Sequence, residues 1–338
     1  MTASMLVGCG EAAAPAAEAP AAEAPAAEEA APAEAAAETP AADAAAAEAP
    51  AAGGEKYGVV LKTLGSEFWQ SVQKGVEDKA AELGVEVVVQ GANSEDDVEG
   101  QNNILETMVQ SGEYVAFAVA PLSDANLVNT VAEANSQGYL VADIDEHINL
   151  DTLAAQGGAV VSFVTSDNER IGKMAGEYIA SLLPDGGDVA IIEGKAGAIS
   201  GENRKDGCKA AFEAAGLTIV DSQPADWDKT KAYDLATNLI NKNENLKAIY
   251  CCNDTMAMGA YQAVSDSGKE ILVVGTDGNA DAVESVKAGG LTATIAQDSE
   301  GVGARSLELL VQAYRNGEKP GEKEIINEFV DPILITKD

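Results

Sequence analysis

AIYCCN, residues 248–253, is a short apolar run that stops on a hydrogen-bonding side chain, with a helical pattern on either side. Three further runs repeat the design: YLVADID (139–145) ends on Asp145, ILVVGTD (271–277) on Asp277 and TATIAQ (292–297) on Gln297. Runs this short and this rich in Val, Ile and Thr, separated by helical patterns, read as buried strands of a parallel sheet. In such sheets ligands bind beyond the carboxyl ends of the strands. Two carboxylates, Asp145 and Asp277, and two amides, Asn253 and Gln297, at those ends make a pocket suited to a neutral polyol.

Outward from these runs, strand and helix alternate from Lys56 onward. YGVVLKT is a strand, Ser66 can cap the helix after it, and Phe68, Val72, Val76, Ala80 and Leu83 recur at helical spacing until Gly84. VEVVVQG, YVAFAVAP and YLVADID continue a first βα set. After an insert at 146–158, a second set runs from AVVSFV through DVAIIEG, LTIVDSQ, AIYCCND and ILVVGTD to LTATIAQD. Ten strands are too many for one doubly wound sheet, so the pattern predicts two α/β lobes. A long helix near 300–316 and the closing segments INEFV and PILIT are expected to divide between them. The expected limits are 55–163 plus 298–329 for an N-terminal lobe and 164–297 plus 330–338 for a C-terminal lobe. The three crossings would form a hinge, and the cleft between lobes would be the ligand site.

Residues 1–54 hold no Lys or Arg and nine of the 56 acids, and from residue 10 they are nearly all Ala, Pro, Glu and Gly. That composition cannot bury enough apolar surface to order itself, so 1–54 reads as a disordered tether. Leu6-Val7-Gly8-Cys9 has the form of a bacterial lipobox, which makes Cys9 a candidate lipidation site and the short start a truncated signal. Beyond the tether, 47 acids face 21 bases, which argues against nucleic acid or an anionic membrane surface as partner. No apolar run reaches the ~18 residues a spanning helix needs. His147 is the only histidine and no CxxC pair occurs, which removes most zinc sites and every His-based triad. Cys208, Cys251 and Cys252 read as small buried hydrophobes.

Other motifs fail on inspection. Gly194-Lys195 lacks the upstream glycine and downstream Ser or Thr of a P-loop, and no GxGxxG follows the first strand. Asp277, Asn279 and Asp281 begin a calcium-loop pattern, but Ala282 and Ala288 replace its Gly and Glu. No cofactor and no metal are expected. What remains fits sugar recognition, which needs polar groups for hydroxyls and aromatic faces for the C–H side of the ring. Trp227, flanked by Asp226 and Asp228 in a loop, suits that use, and Trp69 suits either a core or a ring-covering role. Lys62 and Arg204 would supply donors to balance the carboxylates, and Asp277 could instead cap the following helix.

Together the segments VVLKTLGSEFW, FAVAPLSDANLV, DIDEHINLDTL, VAIIEGKAGAISGENR, SQPADWDKTKA, KAIYCCNDTMAMG, VVGTDG and TATIAQD resemble the periplasmic pentose- and hexose-binding proteins of ribose-binding type, across essentially all of 55–338. The resemblance implies a type I periplasmic binding protein fold, two Rossmann-like doubly wound lobes joined by a three-segment hinge. It also implies a monomeric extracytoplasmic receptor that delivers a monosaccharide, D-allose or a similar hexose or pentose, to the permease of an ABC transporter. Ring-covering roles then fall to Phe68, Trp69 and Trp227. Hydroxyl-bonding roles fall to Lys62, Asp145, Arg204, Asn253, Asp277 and Gln297, with Glu202 near a ligand position. Where the family usually has Asn-Pro before the aromatic pair this chain has Ser66-Glu67, and Ala198 stands where some members have Asn. Three rivals share parts of the pattern. A repressor of the same core would need a basic helix-turn-helix at its start. A sugar-cleaving enzyme could use Asp145 and Asp277 as an acid–base pair. A sensor subunit for a chemoreceptor or histidine kinase would use the same closure.

Overall fold

The computed structural model describes residues 54–338; the tether and the Cys9 lipobox lie outside the described residues. The chain from Lys56 runs β1 (Lys56–Thr63), α1 (Glu67–Leu83), β2 (Glu86–Ala92), α2 (Val98–Ser111), β3 (Ala116–Val119), α3 (Val128–Ser136), β4 (Leu140–Ile144), α4 (Leu150–Ala155) and β5 (Ser162–Ser166). It continues as α5 (Asn168–Leu182), β6 (Asp188–Glu193), α6 (Ile199–Ala214), β7 (Thr218–Pro224), α7 (Lys229–Lys242), β8 (Leu246–Cys251), α8 (Asp254–Ser267), β9 (Leu272–Asp277), α9 (Ala280–Ala288) and β10 (Ala293–Ala296). It closes with α10 (Ser299–Arg315), β11 (Ile326–Val330) and β12 (Ile333–Ile335).

Two six-stranded sheets result, ordered β11-β5-β4-β3-β1-β2 and β12-β10-β9-β8-β6-β7. All pairings are parallel except β10 with β12. Each sheet therefore repeats the same doubly wound order, with the direction of winding reversing between β1 and β3 and between β6 and β8. Those switch points open a crevice at the strand ends. The central strands β3, β4 and β5 are buried at every position, which is why they read as continuous apolar runs rather than alternating ones.

The first lobe has an apolar core on each face of its sheet, one around Val59, Leu61, Val72 and Leu310, the other around Val60, Leu105, Phe117 and Val131. The second lobe is built on one continuous core that includes Ile191, Phe212, Tyr250 and Ile295. Cys208, Cys251 and Cys252 are all buried and free, as small hydrophobes would be. α10 packs on α1, so the long penultimate helix belongs to the first lobe.

Two features depart from the sequence expectation. β5 lies wholly in the first sheet through Ser166, held between β4 and β11, so the first crossing falls after Ser166 rather than at 163. The 146–158 insert also contains the short helix α4, which Asn149 starts by accepting the Thr152 amide at 2.9 Å. The other crossings follow β10 and separate β11 from β12.

Candidate ligand-binding cleft

The carboxyl ends of both sheets face one cavity of about 500 Å³ lined by both lobes. That volume lies in the range of small-ligand sites. Nine of the ten ligand-site residues named from the sequence line it: Lys62, Phe68, Trp69, Asp145, Arg204, Trp227, Asn253, Asp277 and Gln297. Glu202 does not; it sits in the first turn of α6, where its carboxylate pairs with Lys205.

Backbone geometry marks the same place. Among the described residues, four non-glycines have positive φ: Asp145 (61°), Asp226 (53°), Trp227 (62°) and Asp277 (127°). All four line the cavity. Such conformations cost of order 1–3 kcal/mol each and persist where the surroundings hold them in place. For Asp145 the holding contacts are visible. Its amide donates to the Val164 carbonyl at 2.8 Å, and the Thr165 hydroxyl donates to its carbonyl at 3.0 Å.

The first-lobe wall carries Asp145, Lys62 and the aromatic pair. Burial, then the neighbouring Glu146 charge, pushes the Asp145 carboxyl up to about 6, against the pull of Arg204 and Lys62. Lys62 reaches Glu146 at 3.1 Å, with both side chains only 5% exposed. Burial works against its charge, but Glu146, Glu95 and Asp145 outweigh that and hold its pKa above the usual lysine value. Ser66 caps α1 and so fixes the first turn that carries Phe68 and Trp69. Their rings meet edge to face at 4.9 Å, and the Trp69 indole N–H donates to Glu95 at 3.2 Å. Trp69 both packs into the first-lobe core and lines the cleft.

The second-lobe wall is organised around Arg204. Its guanidinium donates to Asn168 at 2.8 Å, to the Cys252 carbonyl at 2.8 Å and to Asp277 at 3.3 Å. Gln297 donates to the same Asp277 oxygen at 2.6 Å. Burial pushes Asp277 up to about 6 even though Arg204 and Gln297 pull it down. The Gln297 amide oxygen is buried without a partner, an open acceptor at the cavity wall. Asp277 does not cap α9. The turn after β9 is instead held by fully buried Asp254, which accepts from the Gly278 amide at 2.8 Å, the Asn279 amide at 2.9 Å and the Thr294 hydroxyl at 2.8 Å. Asn253 is the N-cap of α8 through Oδ1, 2.9 Å from the Met256 amide, which leaves its Nδ2 as a donor on the wall. Trp227 lies flat against backbone: a Cβ at Gly194 would come within 2.0 Å of the indole, so only glycine fits beneath it.

Sequence reasoning missed the groups on loops. Glu146, next in the chain after Asp145, is 4% exposed and bonds both Lys62 and Ser200. Glu95 and Lys195 lie on connections with no periodic signal, and Lys195 crosses the cleft to the Glu95 carbonyl and, at 2.7 Å, the Asp96 carboxylate. These contacts make this a closed conformation. Among the described residues no cluster of His, Cys, Asp and Glu is suited to hold a metal.

Chemically, the cavity offers carboxylate acceptors, cationic and amide donors, and aromatic faces at Phe68, Trp69 and Trp227. That set matches a compact molecule with hydroxyls around its edge and an apolar face.

Comparison with known proteins gives the same direction. A family model described as periplasmic binding protein domain matches residues 57–319. The D-allose-binding periplasmic protein of Escherichia coli K12 is 47% identical over 287 residues, covering 83% of this chain and 92% of that protein. The ribose import binding protein of Bacillus subtilis is 35% identical over 251 residues, covering 74% and 79%. Among solved structures, an ABC transporter periplasmic solute binding protein from Actinobacillus succinogenes with bound D-allose superposes with a TM-score of 0.77 at 30% identity, covering 84% of this chain and 98% of that one.

Proposed function

Since the chain belongs to the periplasmic binding protein domain family, we infer that it is an extracytoplasmic receptor that captures a monosaccharide in this cleft and presents it to an ABC transporter. The observation that carries the reading is the cavity wall itself. Asp145 and Asp277 accept from ring hydroxyls, Lys62, Arg204, Asn253 and Gln297 donate to them, and Phe68, Trp69 and Trp227 cover the C–H faces. D-allose is the sugar we propose, because it is the ligand named for a 47%-identical relative and for a 30%-identical structure. A hexose or pentose of similar shape is the next choice.

The mechanism follows from where these groups sit. Asp145 and Lys62 belong to the first lobe, while Arg204, Asn253, Asp277 and Gln297 belong to the second. A sugar bonded to one wall completes its hydrogen bonds only when the other arrives. It therefore favours closure by its differential affinity for the closed state. The lobes turn about the segments after Ser166, after Ala296 and at 331–332, which are the hinge positions in this proposal. The permease would read the closed outline. The sugar leaves unchanged; Asp145 and Asp277 are held by Thr165, Arg204 and Gln297 as acceptors. We further propose that the receptor is monomeric and is anchored by a lipid on Cys9, which rests on the Leu6–Cys9 motif alone.

The test uses the two tryptophans at the site. Titration of D-allose, D-ribose, D-allulose, D-galactose and myo-inositol, followed by intrinsic fluorescence, should give a saturable change at micromolar sugar or below for D-allose, with unchanged sugar recovered afterwards. Product formation would instead make the protein an enzyme, and silence to every sugar would remove the reading. A sensor subunit for a chemoreceptor or histidine kinase remains the second reading, because it uses the same sugar and the same closure. Loss of sugar uptake on deletion favours the transporter, and loss of signalling alone favours the sensor.

A further inference from the structure

Each helix begins with N–H groups that have no partner within the helix, normally satisfied by its own N-cap side chain. In the second lobe, α5, α7 and α8 follow that rule, capped by Asp167, Asp228 and Asn253. α6 and α9 do not. Their N-cap residues, Ala198 and Asn279, make no side-chain cap bond. Both ends are nevertheless satisfied, and from the other lobe. Glu67 of α1 accepts the Ala280 amide of α9 at 2.7 Å. Glu146, following β4, accepts the Ser200 hydroxyl at 2.5 Å and the Ser200 amide of α6 at 3.4 Å.

We propose that Glu67 and Glu146 are closure residues, capping α9 and α6 across the cleft, so that these two carboxylates govern how long the closed state lasts. The reading of the ligand as a sugar sets the biological setting, but the capping belongs to the chain itself. A carboxylate at a helix N-terminus is favoured by the orphan N–H groups and by the helix dipole together. Opening the cleft removes both acceptors from their helices at once and returns three donors, the Ala280 amide and the Ser200 amide and hydroxyl, to water. Glu146 is aimed for this purpose: Lys62 holds it at 3.1 Å, it is buried, and it does not line the cavity. A sugar therefore does not compete for it. Because the two caps act on one rigid lobe, loss of either must weaken the other, since coupling between sites is reciprocal.

Ala280 provides a clean test. It is the first residue of α9 and does not line the cavity. Proline is well tolerated at a first helical position, where it removes only the N–H. Asn279 before it already has φ −57° and ψ 148°, the conformation a following proline requires. In Ala280→Pro, stopped-flow release of D-allose should be about fivefold faster with association nearly unchanged, the usual effect of losing a cap. Glu67→Ala should match it, and the double variant should be no faster than either single one. Amide exchange at Ser200, read without sugar, should also rise in Ala280→Pro, although that amide lies at the other cap. An unchanged release rate, additive losses in the double variant, or equal Ser200 exchange in both sugar-free chains would overturn the proposal. If D-allose binds neither chain, the sugar reading fails, and the Ser200 exchange still decides the capping.

Discussion

Asp277 concentrates the chemistry of the second wall in one carboxylate. It stands at φ 127°, bonds Arg204 and Gln297, and is buried. Charge-assisted hydrogen bonds contribute about 1.5–3 kcal/mol each. Asp277→Asn keeps the shape but not the charge, so D-allose affinity should fall about tenfold to hundredfold while the melting temperature changes little. Asp145 and Asp277 also give a pH signature. Both have pKa values raised to about 6 in the sugar-free cleft, chiefly by burial. Sugar hydroxyls donating to them favour the charged forms, so binding lowers these values and releases protons. Affinity should be flat above about pH 7 and should weaken as pH falls through about 6. The stability of the sugar-free protein should move oppositely. The cost of burying two charges is fully present above pH ~6 and is relieved as pH falls toward the unfolded values near 4. Calorimetry in buffers of different ionisation heat at about pH 6 reads the released protons directly. Affinity that rises toward acid would contradict both assignments. At this scale the sequence was legible wherever a polar side chain ended an apolar strand: Asp145, Asn253, Asp277 and Gln297 all meet at the cavity. Glu146, Glu95 and Lys195 were not, because loop side chains carry no periodicity and acquire their roles from partners distant in the chain, some of them in the opposite lobe.

At the scale of elements, the positions of Arg204 and Trp227 depend on how closely backbones approach. α5 and α6 meet at Gly172, where a Cβ would fall 1.8 Å from the Arg204 carbonyl oxygen. That contact sets the depth of α6 and hence where the Arg204 guanidinium enters the cleft. Gly172→Ala should force the helices apart, destabilise the protein by about 1–3 kcal/mol, and weaken D-allose binding as well. Denaturant midpoints and calorimetry on the same preparation check both parts, and loss of stability without loss of affinity would separate Arg204 from this packing. Gly194 plays the matching part beneath Trp227. Gly194→Ala should displace the indole and quench the fluorescence response to sugar, with little change in the strand β6 that precedes it. The strands and their order of appearance were readable from period and β-branched content, as was the αL stop at Gly84. The small helix α4 and the full length of β5 were not, since their boundaries rest on one cap and on pairing with a strand more than 150 residues away.

For the whole molecule, two sheets of identical winding face each other with their carboxyl ends toward one cavity, and three chain segments join them. In the proposed reading a polyol needs groups from both sheets. Asp145 and Lys62 approach from one side and Arg204, Asn253, Asp277 and Gln297 from the other. The division into lobes followed from counting strands, and its pairing with a sugar came from residues at their ends. The most direct measurement is calorimetric titration of D-allose into the unmodified chain alongside Asp277→Asn. Stoichiometry of one, a dissociation constant of about micromolar or below, and a loss of at least tenfold in the variant are predicted. Equal affinity in both chains, or no heat with the unmodified one, would contradict a sugar held between these walls.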